Sequence, residues 1–278
     1  MNGKKGETLP LDIEALAKKH LIALGMWRLP VNPLAIAKKE GIELAPGRYG
    51  EKFDARIKFV KSAKTFILFY KEAGYGLTEG RMRFSIGHEL GHYYLPHHRS
   101  YLLSGQSHNS VTDFRSPDPR EKEADEFSST LLMPHELFAG ELKTRRMTIC
   151  TLADLSRLAE NTFQTSLTST VRRYVGLDWE ACSMVVSEAG VVKWAKHSDT
   201  MKARGMGWIE YGTPVPNTTP TAKLWDRLGK EATLERMEAG VDADIWFERP
   251  YRRRLWEEAM PLGYTGQVLT FLTAEEAE

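Results

Sequence analysis

Apolar side chains recur at helical spacing in the first part of the chain. Between residues 11 and 29 they stand three or four positions apart, at Ile13, Leu16, Ala17, Leu21 and Leu24. This spacing places them on one face of a helix. Asn32 and Pro33 are typical of the start of a second helix, and Gly41 is typical of its end. The pattern therefore predicts two helices that pack beneath a third.

The pattern then changes to short runs rich in β-branched and aromatic residues. The three runs span 42–44, 55–60 and 65–70. Gly, Lys and Ser residues separate them, as is typical of strands joined by turns. These runs predict a small sheet.

Two longer helices are predicted on either side of a polar segment. The first has an N-cap at Thr78 and ends at Pro96. The second lies between Pro119 and Pro134. Its predicted buried stripe consists of Ala124, Phe127, Ser128, Leu131 and Leu132. The intervening residues 96–118 are rich in Ser, Gly and Asn, which predicts a long loop that acts as a lid or a specificity surface.

Two histidines four positions apart flank a glutamate in the first of these helices: His88, Glu89 and His92. A separation of four residues turns a helix about 40° beyond a full circle, so both imidazoles can reach one zinc ion. Glu89 lies beside them as the candidate general base. A chance match to a short pattern is the alternative. The small Gly91, where a second helix can approach closely, favours the metal site.

A catalytic zinc usually takes three protein ligands, so a third is required. Glu121 and Asp125 lie one turn apart along the edge of the predicted buried stripe, whereas Glu123 and Glu126 project farther from it. We therefore predict Glu121 as the third ligand and Glu123 as its substitute. Asp125 is predicted to accept the free ring N–H of a metal-bound histidine. An ordinary solvated acidic helix face is the alternative.

These segments together resemble a known family. Residues 84–92, 121–127 and 131–134 are similar to motifs of the ImmA/IrrE family of bacterial and phage metallopeptidases. The similarity runs from about Leu11 to Tyr174, and Ser128 departs from it because the family more often has alanine there. The resemblance implies a zinc endopeptidase whose relatives cleave helix-turn-helix repressors and thereby switch on DNA-damage or mobile-element genes.

The resemblance also suggests how a substrate is held. Zinc peptidases of the gluzincin type bind an extended peptide along the outer strand of a small sheet. We assign this role to strand 65–70, with an ordinary sheet strand as an equal alternative. An oxyanion donor is also required, and its unranked candidates are Tyr93, Tyr94, Tyr101, His98 and His108. Zinc is the expected metal and manganese the alternative, because histidine–carboxylate sites accept both.

Residues 151–160 and 164–174 have the pattern of a helix-turn-helix. A second function is therefore DNA binding through the second helix. The exposed face of that helix is predicted to be rich in Ser and Thr, and only Arg172 and Arg173 are placed to contact phosphates. Stable duplex binding commonly uses about 6–10 such contacts. We therefore predict a structural helical pair and no direct DNA binding.

The character of the chain changes again after Gly176. Residues 181–187 and 191–196 predict a hairpin. Further on, the pattern predicts a helix around 222–228 and strands at 245–247 and 268–272. This second α+β region is weakly similar to the GAF-type sensor domain of some family members. Its aromatic residues either fill a small core, the favoured interpretation, or line a small-molecule pocket: Trp194, Trp208, Tyr211, Trp225, Trp246 and Trp256.

Composition narrows the function further. The charges of the 38 basic and 37 acidic residues nearly cancel. This balance argues against binding of nucleic acid or of an anionic membrane through a net positive charge. The first residues lack the apolar run of a secretory signal, and no stretch approaches the ~20 apolar residues that span a bilayer. Cys150 and Cys182 lie outside any metal-type spacing, which favours reduced thiols in the cytoplasm over a disulfide.

The prediction is an α+β protein in four segments. They are a flexible N-terminus at 1–10, a zincin-like metallopeptidase domain at 11–147, a helix-turn-helix-like segment at 148–176 and a C-terminal sensor or regulatory domain at 177–278. The predicted function is site-specific, zinc-dependent cleavage of a helix-turn-helix repressor. Two alternatives stay open: a regulatory binding protein, and a component of a toxin–antitoxin or phage-defence pair. Either would act through a repressor partner or DNA with little proteolysis.

Overall fold

A computed structural model describes most of the chain. The described residues are 11–50, 53–74, 77–106, 118–145, 147, 150–228, 230, 235–248, 254–263 and 266–275. The segment 1–10, predicted as flexible, lies outside them. The chain forms two compact units: one comprises residues up to Lys143 together with Thr162–Thr165, and the other comprises Thr144–Asn161 together with the chain from Ser166 onward. Helices and strands occur in both, which confirms the α+β class.

The first unit combines helices with one small sheet. In chain order its elements are α1 (Ile13–Ala23), α2 (Pro33–Lys39), β1 (Glu43–Gly47), β2 (Ala55–Val60), β3 (Thr65–Lys71), α3 (Glu79–Tyr94), α4 (Pro96–Leu103), α5 (Pro119–Leu132) and α6 (His135–Thr144). The side chains of Asn32, Thr78 and Asp118 cap α2, α3 and α5 by accepting hydrogen bonds from first-turn amides. The predicted helix starts are therefore confirmed.

The three predicted strands are confirmed, but their order corrects one assignment. The order is β1-β3-β2, with β1 parallel and β2 antiparallel to β3. Strand 65–70 is thus central, and its backbone is hydrogen-bonded on both sides. The prediction that it binds an extended substrate at an open edge is wrong. The pattern within a run does not encode the place of a strand in its sheet, because that place depends on which other strands pair with it.

Helices α3 and α5 pack closely at the predicted glycine. A Cβ atom added at Gly91 would lie 3.0 Å from Ala124 Cα and 3.2 Å from the Ala124 carbonyl oxygen. One turn earlier Gly87 faces Ser128, whose hydroxyl donates to the Phe84 carbonyl at 2.7 Å. The predicted stripe of α5 is fully buried. This close approach brings the histidines of α3 within reach of the acids of α5.

Residues 96–118 are not one long loop, which corrects that prediction. Helix α4 occupies the first eight of them and follows α3 after a single residue, Leu95. Pro96 stands in its first turn, where a missing amide hydrogen leaves no helical bond unmade. His98 and Leu102, one turn apart, are both fully buried. Residues 107–117 lie outside the described part of the chain, so a lid there stays a prediction.

The second unit is built on one antiparallel sheet. In chain order its elements are α7 (Leu152–Leu158), α8 (Leu167–Leu177), β4 (Cys182–Glu188), β5 (Val191–His197), α9 (Asp199–Ala203), α10 (Pro220–Arg227), β6 (Met237–Asp242), β7 (Arg254–Pro261) and β8 (Gln267–Ala274). The sheet order is β5-β4-β8-β7-β6. The predicted hairpin (β4 and β5), the predicted helix (α10) and the last predicted strand (β8) are confirmed.

One predicted strand is wrong, and β6 and β7 were not predicted. Residues 245–247 are not a strand: a 3-10 turn covers Ala243–Ile245, and Trp246 and Phe247 are buried beyond it. On β7, Glu257 interrupts the apolar pattern although it is fully buried. Its carboxylate accepts hydrogen bonds from the Thr221 amide at 2.9 Å and from the Trp246 indole at 2.6 Å. These donors allow a strand to bury a charge-bearing residue.

The helix-turn-helix-like segment contains α7, a π-helical turn at Ala159–Phe163 and α8. A capping box formed by Thr151 and Asp154 begins α7. Ser169 and Thr170 are buried in α8, so the prediction that its Ser/Thr-rich face is exposed is wrong in part. Buried hydroxyl groups cannot contact a duplex, which adds to the argument against DNA binding.

The six aromatic residues of the C-terminal region divide between interior and surface. Trp246 is buried, and Trp194 and Trp225 are half-buried. Trp208, Tyr211 and Trp256 are 67%, 71% and 39% exposed. A small core therefore accounts for only part of the set.

Both cysteines are free and buried. Burial raises the pKa of both thiols, that of Cys150 to about 12, so neither is reactive at neutral pH. No helix in the described ranges is long and apolar enough to cross a membrane.

Candidate metal centre

Three side chains with metal-binding atoms meet in the interior of the first unit. His88 and His92 project from one face of α3, and their Nε2 atoms lie 3.1 Å apart. Glu121 reaches them from α5, with Oε2 3.1 Å from His88 Nε2 and Oε1 3.5 Å from His92 Nε2. Both histidines are buried, and the Glu121 side chain is 13% exposed. The structure thus brings together the three residues predicted as ligands.

The donor set fits a zinc ion. Tetrahedral zinc with bonds of about 2.0–2.1 Å places neighbouring ligand atoms roughly 3.3 Å apart. The three observed separations, 3.1, 3.1 and 3.5 Å, are close to that value. Two imidazole nitrogens and one carboxylate oxygen also form the donor set of catalytic zinc sites that keep a fourth position for water.

The second ring nitrogen of His88 faces Asp125. His88 Nδ1 lies 2.8 Å from Asp125 Oδ1, and both residues are buried. Burial acts to lower the pKa of His88, but hydrogen bonds to Asp125 and Glu121 outweigh it and raise the pKa to about 10. The Asp125 carboxylate therefore lies where the sequence predicted it, able to hold the ring so that Nε2 points toward Glu121.

Glu89 is held by the sheet. Its carboxylate accepts a hydrogen bond from the Ile57 amide at 2.8 Å, and the residue is 2% exposed. Through this contact, one edge of β2 faces the candidate metal site. The sequence does not predict this contact, because no local pattern connects a strand amide with a carboxylate 32 residues away.

Residues 53–168 match the family model Peptidase_M78, described as the IrrE N-terminal-like domain. The chain carries an IrrE N-terminal-like domain. This finding confirms the resemblance to ImmA/IrrE metallopeptidases, and the matched range contains His88, Glu89, His92 and Glu121. The group formed by His88, His92 and Glu121 is a candidate metal site of a metallopeptidase domain.

Similarity to individual proteins was found among solved structures but not among curated sequences. No curated protein sequence is significantly similar to the chain. Among solved structures, a Mycobacterium tuberculosis transcriptional regulator superposes with a TM-score of 0.59 and 14% identity, over 95% of this chain and 76% of that one. At this identity the likeness shows the fold alone.

In the IrrE N-terminal-like domain, the second ring nitrogen of His92 contacts a residue that the sequence did not predict as its partner. His92 Nδ1 lies 2.9 Å from His98 Nδ1, and His98 Nε2 lies 3.0 Å from Glu123 Oε2. Glu123, the predicted substitute ligand, is thus placed on the outer side of His92. Both ring nitrogens of the buried His98 are engaged, so its candidacy as an oxyanion donor is wrong.

Two further oxyanion candidates of the IrrE N-terminal-like domain are directed elsewhere. The hydroxyls of Tyr93 and Tyr94 donate to Glu40 at 3.0 and 2.9 Å. Tyr101 packs under the guanidinium of Arg120, with 5.0 Å between the ring centre and Cζ, and remains a candidate. His108 lies outside the described residues.

We expect zinc binding to the IrrE N-terminal-like domain to release about one proton per ion at pH 7. His88, whose pKa is raised to about 10 in the metal-free protein, carries a proton at that pH, whereas a metal ligand must be neutral. The part of this release that comes from His88 should decline as the pH rises through 10. Calorimetric titration in two buffers of different ionisation heat gives the proton count. A count near zero at pH 7 would show that His88 is already neutral.

Asp125→Ala is expected to weaken zinc binding to the IrrE N-terminal-like domain by about 10–100-fold. The substitution removes the acceptor that lies 2.8 Å from His88 Nδ1, so the imidazole loses both its orientation and part of its basicity. Competition with a chromophoric chelator measures the affinity. Glu126→Ala on the exposed side of α5 is the matched control, and an equal loss in both variants would exclude a specific role for Asp125.

Proposed function

We propose that this protein is a cytoplasmic, zinc-dependent endopeptidase that cuts a helix-turn-helix repressor and so switches on DNA-damage or mobile-element genes. The observation that carries the proposal is the convergence of His88, His92 and Glu121 beside Glu89 in an IrrE N-terminal-like domain. The donor distances, the burial of both histidines and the sheet contact to Glu89 support it.

Each residue has a chemical task in this proposal. A zinc ion held by His88, His92 and Glu121 would supply Lewis acidity, which lowers the pKa of water and polarises a carbonyl group. Glu89 takes a proton from the attacking water and passes it to the leaving amine. The Ile57 amide, 2.8 Å from the Glu89 carboxylate, fixes the direction of this base. Asp125 orients His88 through Nδ1.

The edge of β2 is the proposed place for the substrate chain. Its Ile57 amide points away from β3 and toward Glu89. In an antiparallel pair the N–H and C=O groups of one residue point to the same side, so the Ile57 carbonyl lines this edge as well. An extended peptide paired along it would present a peptide bond beside the base. Strand β2 thereby takes the role first assigned to the central strand β3.

Cleavage of a natural partner tests the function. The purified protein is incubated with the helix-turn-helix protein encoded nearest its gene, once with zinc and once after complete chelation. We expect a single cut, located by mass spectrometry, in the zinc sample alone. A fully zinc-loaded protein that binds this partner without cutting it would favour the alternative of a regulatory binding protein over a peptidase.

The second unit is proposed to regulate this activity by binding a small molecule, as the GAF-type resemblance implies. Its five-stranded antiparallel sheet and its exposed Trp208 and Tyr211 are compatible with a ligand-binding surface. A cleavage reaction that requires the small-molecule fraction of a cell extract would support this role.

A further inference from the structure

A second group of metal-binding side chains lies on the outer side of His92. His97 Nε2 and His98 Nε2 lie 2.7 and 3.0 Å from the same oxygen, Glu123 Oε2. All three ligand atoms are within 4.8 Å of one another. His98 is fully buried, whereas the side chains of His97 and Glu123 are 54% and 41% exposed. An ion can therefore reach this group from solvent without opening the core.

The three donors suit zinc or a similar divalent ion. They repeat the set of two imidazole nitrogens and one carboxylate oxygen that the first group provides. Zinc requires roughly 3.3 Å between neighbouring ligand atoms, and the nitrogen–oxygen distances here are shorter. The group must therefore open slightly. The exposed side chains of His97 and Glu123 have the freedom to do so.

A hydrogen bond joins the two groups, between His92 Nδ1 and His98 Nδ1 at 2.9 Å. A single proton occupies such a bond. When His92 binds a metal through Nε2, its Nδ1 keeps the ring proton and donates it. His98 must then accept at Nδ1 and carry its own proton on Nε2, toward Glu123. A metal on His98 Nε2 requires the reverse, because the ring proton of His98 then moves to Nδ1.

We propose that His97, His98 and Glu123 form a peripheral metal site, and that an ion there loosens the metal held by His88, His92 and Glu121. With both sites filled, two N–H groups would face each other across the 2.9 Å contact. Each ion therefore weakens the other, and excess zinc acts as an inhibitor. The peripheral site depends only on its own geometry, whereas the coupling rests on the proposed first site.

The number of bound ions tests the peripheral site. Metal-free protein is titrated with zinc alone by calorimetry. We expect two ions for the wild type, one for His97→Ala with unchanged affinity at the first site, and two for His135→Ala, which removes an exposed histidine from α6. A single ion in the wild type that His97→Ala still binds, or two ions in His97→Ala, would overturn the peripheral site.

The coupling is tested with Glu121→Gln, which removes a ligand of the first site only. We expect this variant to bind one zinc ion, at the peripheral site, at least about fivefold more tightly than the wild type binds its second ion. Equal affinities would overturn the coupling. A single ion in the wild type that is lost in His97→Ala and kept in Glu121→Gln would leave the peripheral site standing and overturn the proposed first site.

Discussion

Glu89→Gln is expected to slow repressor cleavage by about 10²–10⁴-fold while zinc stays bound. Glutamine keeps an oxygen that can accept the hydrogen bond from the Ile57 amide, 2.8 Å away in the native protein, so the local structure should persist. It cannot take a proton from water, and the proposed base is lost. Cleavage rates at saturating repressor and zinc content after gel filtration are the two measurements.

Glu79→Gln is the matched control for this substitution. It neutralises an exposed glutamate at the start of the same helix, and we expect wild-type cleavage. A Glu89→Gln protein that holds zinc and cuts at the wild-type rate would remove this carboxylate from the mechanism. If zinc itself were lost, Glu89 would be needed to build the site, and the slow cleavage would say nothing about a base.

Gly91→Val is expected to lower the free energy of unfolding by about 1–3 kcal/mol and to weaken zinc binding. The first added carbon would already lie 3.0 Å from Ala124 Cα and 3.2 Å from the Ala124 carbonyl oxygen. These are backbone atoms, which cannot rotate away, so α3 and α5 must separate. Because His88 and His92 lie on α3 and Glu121 lies on α5, separation also spreads the donor atoms.

Gly140→Val makes the same change where space is open. Gly140 lies on the exposed side of α6, and an added Cβ there would have no neighbour among the described atoms within 4 Å. Urea unfolding gives the stability of each variant, and the rise in melting temperature on adding zinc reports metal binding. A Gly91→Val protein with wild-type stability and a wild-type zinc shift would mean that the helices need not touch to form the site.

Different residues support the two histidines. His88 is hydrogen-bonded directly to the buried Asp125, whereas His92 contacts His98, which in turn contacts Glu123. The first partner is sealed in the interior, and the Glu123 side chain is 41% exposed. The contacts behind His92 therefore extend to the solvent, whereas the contact behind His88 is largely shielded from it.

The sequence alone determined the local elements and the residues that meet. A separation of four places His88 and His92 on one helix face, and the apolar stripe of α5 sets the side from which Glu121 and Asp125 project. The caps and the strand runs can likewise be predicted, because each depends on neighbours within one or two turns. The small Gly91 indicated where a second helix could approach, although its contact with Ala124 is between two helices. The roles of these residues in binding and catalysis stay predictions.

Three features were decided only by the tertiary structure. They are the position of β2 at the edge of its sheet, the hydrogen bond from the Ile57 amide to Glu89, and the contact of His98 with His92. The Ile57–Glu89 bond and the partners of Glu257 join residues that are far apart in the chain. His98 follows His92 by only six residues. It contacts His92 because the chain changes direction at Leu95, between α3 and α4. Local periodicity records which face of an element is buried. It does not indicate which donor or acceptor from a distant part of the chain will pack against that face.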